Sequence, residues 1–252
     1  PEELKAPVKP LVISGDVVTW YRPTTLHSLL KMRAQPPRGL SVAGKKIEDS
    51  EMVAGKTCCI ESREEAQLVS GHTDIGYKRL YKQTLARLMV SLHDVPELKR
   101  MQQDEAGLWV GAAATVTAIE DACKEMIEKM PIERTRGFAA LLNQSRWFAN
   151  KLVRNIGTLG GTLCAADNLS DLIPPLMAMN AQIFVASLNE AGEIQERSVS
   201  VRDFVVTARK TILSHNEIVT KVLLPFSEPG QYVQTYKVAK RREDCQASLN
   251  AG

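Results

Sequence analysis

The fold is indicated by residues 155–171, NIGTLGGTLCAADNLSD. This stretch has several glycines, which leave the backbone without side chains, and it ends with the carboxylate of Asp171. Gly157, Gly160 and Gly161 lie close together, and the stretch has no lysine. Glycine lets backbone N–H groups approach a ligand closely, and consecutive N–H groups can hold a phosphate without a lysine. The Asp171 carboxylate suits hydroxyl or N–H donors better than it suits a phosphate. A ligand with a pyrophosphate at one end and such donors at the other is a dinucleotide, so the stretch indicates a dinucleotide site. A tight turn with Asp171 as a helix N-cap is the alternative.

The loop fits neither of the common nucleotide-binding motifs. No Gly-Lys-Ser/Thr sequence ends it, which excludes a P-loop. It also lacks the G-x-G-x-x-G spacing that opens the long helix of a Rossmann fold.

A second small-residue turn strengthens the dinucleotide interpretation. LVSGHTDIG, residues 68–76, follows an apolar strand and offers a glycine, hydroxyls and an acid. An ordinary strand-to-helix turn is the alternative, but two such turns in one chain favour a shared phosphate ligand.

The pattern around these loops predicts an α+β fold. Apolar strands and helices alternate without a regular βαβ order. Thr117 and Glu120 match a capping box before a helix that ends at Met130, and a second helix is predicted over 135–149. We expect strands at 17–23, 87–92 and 108–115, among others. Residues 36–65 are polar and aperiodic, and they predict an inserted or disordered loop.

Composition excludes several classes of function. The net charge is +3 and aromatic residues make up 5% of the chain, with no basic block, so a nucleic-acid partner is not expected. No apolar run approaches a membrane span. The cysteines number five, an odd count, without a C-x-x-C pair. This favours a reducing compartment over a disulfide framework, and scattered histidines predict no metal site.

Both loops, together with QSRWFANKLVRNIGTLGGTL (144–163), SDLIPPLMA (170–178) and YKVAKRRED (236–244), resemble the FAD-binding domain of the xanthine dehydrogenase/aldehyde oxidase family of molybdenum hydroxylases. The resemblance implies a vanillyl-alcohol-oxidase (PCMH-type) FAD domain of two α+β subdomains with the flavin between them. It divides the chain into a linker (1–15), subdomain 1 (16–84), subdomain 2 (85–229) and the start of a truncated C-terminal flavoprotein subdomain (230–252).

The resemblance also implies which residues contact FAD. The first loop would wrap the pyrophosphate, and His72 and Asp74 stand where the family more often has Asn and Glu. Phe148 would lie by the isoalloxazine ring, Val219 near the adenine and Lys237 on the flavin side, while Ser170 and Asp171 match positions near the adenosine and ribose. No residue is predicted to be catalytic. The expected cofactor contacts are Leu68, Val69, Ser70, Gly71, His72, Thr73, Asp74, Ile75, Phe148, Thr158, Gly160, Gly161, Thr162, Ser170, Asp171, Val219 and Lys237.

The rest of the enzyme is implied by the resemblance alone. The same polypeptide would contain iron–sulfur ([2Fe–2S]) and molybdopterin domains. The molybdopterin site would hydroxylate purines, converting hypoxanthine or xanthine to urate. The electrons would pass through the iron–sulfur clusters and FAD to NAD. The full-length protein would be a cytoplasmic, or peroxisomal, homodimer. KRRED (240–244) is more similar to xanthine dehydrogenases than to aldehyde oxidases. The flavin domain of an aldehyde oxidase or of a carbon monoxide dehydrogenase-like hydroxylase is the alternative, and a non-catalytic binding domain is a third reading.

Two further expectations concern the KRRED segment. Arg146, Trp147 and Arg242 are expected to form a cation–π cluster, as in the family. Asp244 is expected to favour NAD as electron acceptor and Arg241 to oppose it, through their charges near the flavin.

Overall fold

The computed structural model of the chain describes residues 8–15, 18–34, 66–76, 86, 88–240, 242 and 246–252. The predicted insertion at 36–65 lies outside these described residues, and so do Arg241 and Asp244.

A four-stranded sheet forms the N-terminal part of the fold. Its strands are β1 (Leu11–Ser14), β2 (Thr19–Arg22), β3 (Ala66–Val69) and β4 (Leu88–Ser91), in the order β1-β2-β4-β3. β2 and β3 run parallel to β4, while β1 is antiparallel to β2. The first loop, 70–76, therefore begins where a strand of a parallel pair ends.

Helix α1 (Leu26–Ala34) follows β2 in the chain and packs against both sheets. Its N-terminus is capped by Thr25, whose hydroxyl accepts a hydrogen bond from the Ser28 N–H at 3.1 Å. Leu29 and Leu30 are fully buried in one apolar cluster with Val90 of the first sheet and Ile218 of the second. Burial of this apolar surface holds the two sheets together.

An antiparallel five-stranded sheet forms the larger part. Its strands are β5 (Met101–Gln103), β6 (Gly107–Gly111), β7 (Gln182–Leu188), β8 (Ile194–Ser200) and β11 (Ile218–Pro225), in the order β5-β6-β11-β7-β8. A short pair, β9 (Val205–Thr207) and β10 (Lys210–Thr211), lies between β8 and β11 in sequence. The helices of this part are α2 (Val116–Lys129), α3 (Ile132–Ser145), α4 (Lys151–Arg154), α5 (Leu159–Ala165), α6 (Ile173–Ala178) and α7 (Val201–Phe204).

A two-stranded ribbon, β12 (Tyr236–Ala239) and β13 (Ala247–Ala251), completes the fold. Val238 and Leu249 are paired across it and both are exposed. Lys237 and Asn250 are paired on the opposite face, which turns towards the site described below.

The α+β prediction is confirmed, but several local expectations differ from the structure. The predicted linker contains β1, because the apolar run at Leu11–Ser14 pairs with β2. β4 pairs within the first sheet, although the predicted boundary at 84/85 would assign it to subdomain 2. The predicted strand 108–115 ends at Gly111. The subdomain boundaries themselves stay a prediction.

The predicted capping box before α2 is wrong. Thr115, not Thr117, is the N-cap, and its hydroxyl accepts from the Ala118 N–H at 3.2 Å. The Val116 N–H, which has no partner within the helix, donates to the Gly157 carbonyl at 2.9 Å and ties this end of α2 to the second glycine loop. Glu120 therefore lies inside the helix rather than in its cap.

Within the described residues, no helix combines the length and apolarity needed to cross a membrane.

Cys123 gives a test of the core around α2. Burial raises the pKa of this fully buried thiol to about 12 from an ordinary 9.0, with the Glu120 charge as a second cause. The folded state therefore keeps Cys123 protonated, and stability present below pH 9 should be lost as the pH rises towards 12. We expect iodoacetamide to leave Cys123 unmodified at pH 8.5 in native protein and to modify it in denaturant, as mapped by mass spectrometry. Modification of Cys123 at equal rates in both conditions would contradict this.

Candidate cofactor site

The structure brings the two sequence-predicted glycine loops into direct backbone contact. A Cβ added at Gly71 of the first loop would lie 2.0 Å from the Ile156 carbonyl oxygen of the second. A Cβ at Gly157 would lie 3.9 Å from the Thr73 hydroxyl. The expectation that both turns contribute to one surface therefore has a geometric basis.

The second loop is a helix start rather than an open nest of N–H groups. Thr158 is the N-cap of α5 and its hydroxyl accepts from the Gly161 N–H at 3.2 Å. The N–H of Gly160 donates to the Ala112 carbonyl at 2.8 Å, and that of Thr162 donates to the Thr158 carbonyl at 3.0 Å. These N–H groups are already used by the protein, so the expectation that they cradle a phosphate is not supported.

The adjacent glycines of this loop face in opposite directions. Gly160 is buried, and a Cβ there would lie 2.7 Å from the Ala112 carbonyl oxygen. Its lack of a side chain lets α5 approach the chain that follows β6. Gly161 is exposed, and a Cβ there would meet only the Thr158 hydroxyl, at 3.0 Å. Bare backbone is thus presented to a ligand at Gly161.

The first loop carries the exposed donors. Within the part of the chain that the structure describes, the N–H groups of Gly71, His72 and Thr73 donate to no protein acceptor. His72 adopts a left-handed conformation with φ of 60°, and its ring lies 6.3 Å from that of Trp20 between centroids. Successive N–H groups around a left-handed residue form an anion-binding concavity. The expectation that the first loop, 68–75, wraps the pyrophosphate stays a prediction, and these N–H groups are compatible with it.

Asp171 and Lys237, predicted at different ends of the cofactor, are partners in one buried network. The Lys237 ammonium donates to Asp171 Oδ2 at 2.6 Å, and the Asn250 amide donates to Asp171 Oδ1 at 2.9 Å. Gln144 donates to the Asn250 side-chain oxygen at 3.2 Å. The side chains of Lys237 and Asp171 are only 7% and 5% exposed. The network fastens the β12–β13 ribbon to the turn before α6.

Phe148 lies in a turn between α3 and α4, half-buried against the core. Arg154 donates to the carbonyls of Phe148 and Ala149, at 2.9 and 3.2 Å, and forms an ion pair with Glu120 at 3.1 Å. Sequence reasoning missed Arg154, Glu120, Asn250 and Gln144. Their partners are far away in sequence or are backbone atoms, so no local pattern could indicate them.

Other expected site residues are placed less favourably. The Val219 side chain is buried in the core of the larger part, 4% exposed, and its contact with FAD stays a prediction. Trp147 is 63% exposed. Among the residues that the structure describes, cation–π contacts involve Arg134, Arg136 and Lys221, so the expected Arg146–Trp147–Arg242 cluster is absent.

The sequence matches a protein family described as the FAD binding domain in molybdopterin dehydrogenase, over residues 15–227. Similar proteins include the xanthine dehydrogenase of Calliphora vicina, 33% identical over 242 residues, and xanthine dehydrogenase 1 of Arabidopsis thaliana, 30% identical over 253 residues. These alignments cover 96% and 100% of this chain. The chain spans only 16% of the length of either relative.

Solved structures agree on the fold. A carbon monoxide dehydrogenase from Hydrogenophaga pseudoflava aligns with a TM-score of 0.67 and 17% identity, covering 93% of this chain and 67% of that one. Quinoline 2-oxidoreductase from Pseudomonas putida 86 aligns with a TM-score of 0.65 and 21% identity, covering 95% and 67%. Because its sequence matches this family over residues 15–227, the chain belongs to the FAD-binding domains of molybdopterin dehydrogenases.

Proposed function

We propose that the chain binds FAD noncovalently across the two glycine loops, with the pyrophosphate at residues 71–73 and the dinucleotide passing Gly161. The observation that carries the proposal is the backbone contact of Gly71 with Ile156, which makes one surface of two loops. The exposed N–H groups of the first loop suit a phosphate. The exposed, side-chain-free Gly161 suits a ligand that lies close to the backbone. The residues present thus fit the cofactor.

The remaining residues would orient the cofactor rather than react with it. Phe148 offers an apolar ring and Lys237 a buried cation on the flavin side. Asp171 would act through Lys237 and Asn250, because both of its oxygens already accept hydrogen bonds from them. Leu68, Val69 and Ile75 would support the first loop, and Val219 would contribute from the edge of the core, where its side chain is buried. Bound FAD would supply the electron-transfer chemistry, and the protein would bind and orient it.

The larger enzyme is proposed to be a xanthine dehydrogenase. Support comes from the names of the sequence relatives, which are far longer than this chain. Iron–sulfur clusters, a molybdopterin site, NAD as acceptor, a homodimer and a cytoplasmic location are parts of this proposal. The carbon monoxide and quinoline enzymes share less than 25% identity and support the fold alone. Sequence therefore favours purine over the alternative substrates.

The proposal is tested by titrating the purified chain with FAD and following flavin absorbance and fluorescence. We expect saturable binding of one FAD, and acid precipitation should release all of it. A folded chain that binds no FAD would refute the proposed function, and flavin retained in the acid pellet would refute its noncovalent attachment.

Gly161→Val should weaken FAD binding by at least about tenfold, or 1.4 kcal/mol. The branched side chain occupies the exposed backbone surface beside Thr158. Ala165→Val is the control, because it places the same side chain in the same helix α5 but away from the loops. Dissociation constants from fluorescence titration, with thermal unfolding measured alongside, check the result. Equal affinities for both variants would remove Gly161 from the site.

A further inference from the structure

The turn that carries Phe148 has three consecutive carbonyl groups bound by two cations. Lys237 donates to the Trp147 carbonyl at 2.7 Å. Arg154 donates to the next two carbonyls, those of Phe148 and Ala149, from the same nitrogen. Charged donors make stronger hydrogen bonds than neutral ones, so the path of this turn is fixed from both sides.

Each of these cations has its own buried carboxylate. Lys237 pairs with Asp171, and Arg154 pairs with Glu120 of α2. The side chains of Arg154 and Glu120 are 14% and 10% exposed. A buried charge without its partner is strongly unfavourable. Arg154 Nε and Glu120 Oε1 lie 3.1 Å apart without the geometry of a hydrogen bond, so Glu120 holds the guanidinium beneath the turn by charge attraction.

The turn needs such support because its backbone is strained. Ala149 has φ of 45°, a left-handed conformation that a residue with a Cβ adopts at an energetic cost. Strain of this kind persists only where surrounding contacts determine the conformation. On the far side, the Asn150 side chain caps α4 by accepting from the Val153 N–H at 3.0 Å. Helix α4 then places Arg154 where it reaches back to the strained turn.

We propose that Arg154, held by Glu120, is a positioning residue that fixes the Phe148 ring against the flavin. The inference rests on the proposed function, since Phe148 is a flavin contact only if FAD binds here. Arg154 donates hydrogen bonds to the backbone of the turn. Its effect on FAD should therefore pass through Phe148.

The test compares Arg154→Lys with Arg197→Lys in the 252-residue chain. Lysine keeps the charge but cannot reproduce the guanidinium geometry. Arg197 is a matched control, because it also binds a carboxylate, that of Glu217, through two nitrogens at 2.7 and 2.8 Å, but from β8. For Arg154→Lys we expect the amides of 147–150 to exchange hydrogen about tenfold faster (a loss of about 1.4 kcal/mol of local stability). Its FAD dissociation constant should rise about three- to tenfold and its flavin absorption band should shift. Arg197→Lys should change none of these.

A double-mutant cycle with Phe148→Leu separates positioning from general destabilisation. In the Phe148→Leu background, Arg154→Lys should still speed amide exchange but should no longer change FAD affinity. Additive losses of affinity would show that Arg154 acts independently of Phe148 and would overturn the inference. So would wild-type-like exchange and affinity in Arg154→Lys. The wild-type titration separates the two proposals: if wild type binds no FAD, the proposed function fails and takes the inference with it, whereas bound FAD with unaffected variants refutes the inference alone.

Discussion

Gly71→Ala should separate the two glycine loops and abolish measurable FAD binding. The new Cβ would lie 2.0 Å from the Ile156 carbonyl oxygen and 2.7 Å from its carbon, both of them backbone atoms. Neither can move aside by a rotamer change, so one loop must shift. Overpacking typically costs about 1–3 kcal/mol, and a rigid backbone neighbour puts this change at or above the upper end. Urea unfolding and FAD titration measure the two effects.

Gly192→Ala is the matched control for this prediction. Gly192 has φ of 80°, and a Cβ there would meet nothing within 4 Å. The control thus carries a backbone penalty, about 1–2 kcal/mol, without any contact between loops. It should lower stability while leaving FAD affinity unchanged. If Gly71→Ala bound FAD as tightly as Gly192→Ala, the loop contact would have no part in the site.

Asp171→Asn should have the second large effect, a loss of about 3–5 kcal/mol in the free energy of unfolding. It removes a carboxylate that accepts a hydrogen bond from the Lys237 ammonium at 2.6 Å, and both side chains are buried. The ribbon β12–β13 should detach from the turn before α6, exposing its amides to exchange. Urea unfolding and hydrogen exchange at 236–239 check this.

Two comparisons make the Asp171 prediction specific. Asp121→Asn removes a carboxylate from an exposed ion pair with Lys124 and should change stability by less than about 0.5 kcal/mol. Asp171→Asn combined with Lys237→Met removes both buried charges and should recover much of the lost stability, because no uncompensated charge remains. A double variant as unstable as Asp171→Asn alone would show that the pair is not the source of the effect.

Local sequence signals predicted the elements that depend on local chemistry. Apolar periodicity located most strands and helices, and glycine placed both loops at Gly71 and Gly160–Gly161. The α+β fold and the FAD-domain family are confirmed. Which N–H groups of the second loop are free to bind a ligand could not be predicted. The Gly160 N–H donates to the carbonyl of Ala112, a residue far away in sequence. The capping box failed because Thr115, two residues before Thr117, caps the helix.

Sequence analysis predicted two members of the polar network, Asp171 and Lys237, but not their contact with each other. Asp171 and Lys237 were both expected at the site, yet their mutual ion pair follows from how the ribbon packs. Asn250 lies outside every quoted motif, and Arg154 lies within one but was assigned no role. Whether the expected residues contact FAD stays a prediction, and the expected role of Asp244 lies outside the described residues.

The backbone contact between Gly71 and Ile156 has a consequence for the order of folding. Gly71 follows a strand of the first sheet and Ile156 lies between two helices of the larger part, far apart in the chain, so joining them requires closure of a long loop. Non-local contacts of this kind form late and slow the folding of a domain. A folding intermediate with only one sheet formed would have only one of the two loops in place, so the proposed binding surface would be incomplete. FAD should therefore bind the fully folded domain and not such intermediates. Added FAD should slow unfolding and leave the early steps of refolding unchanged.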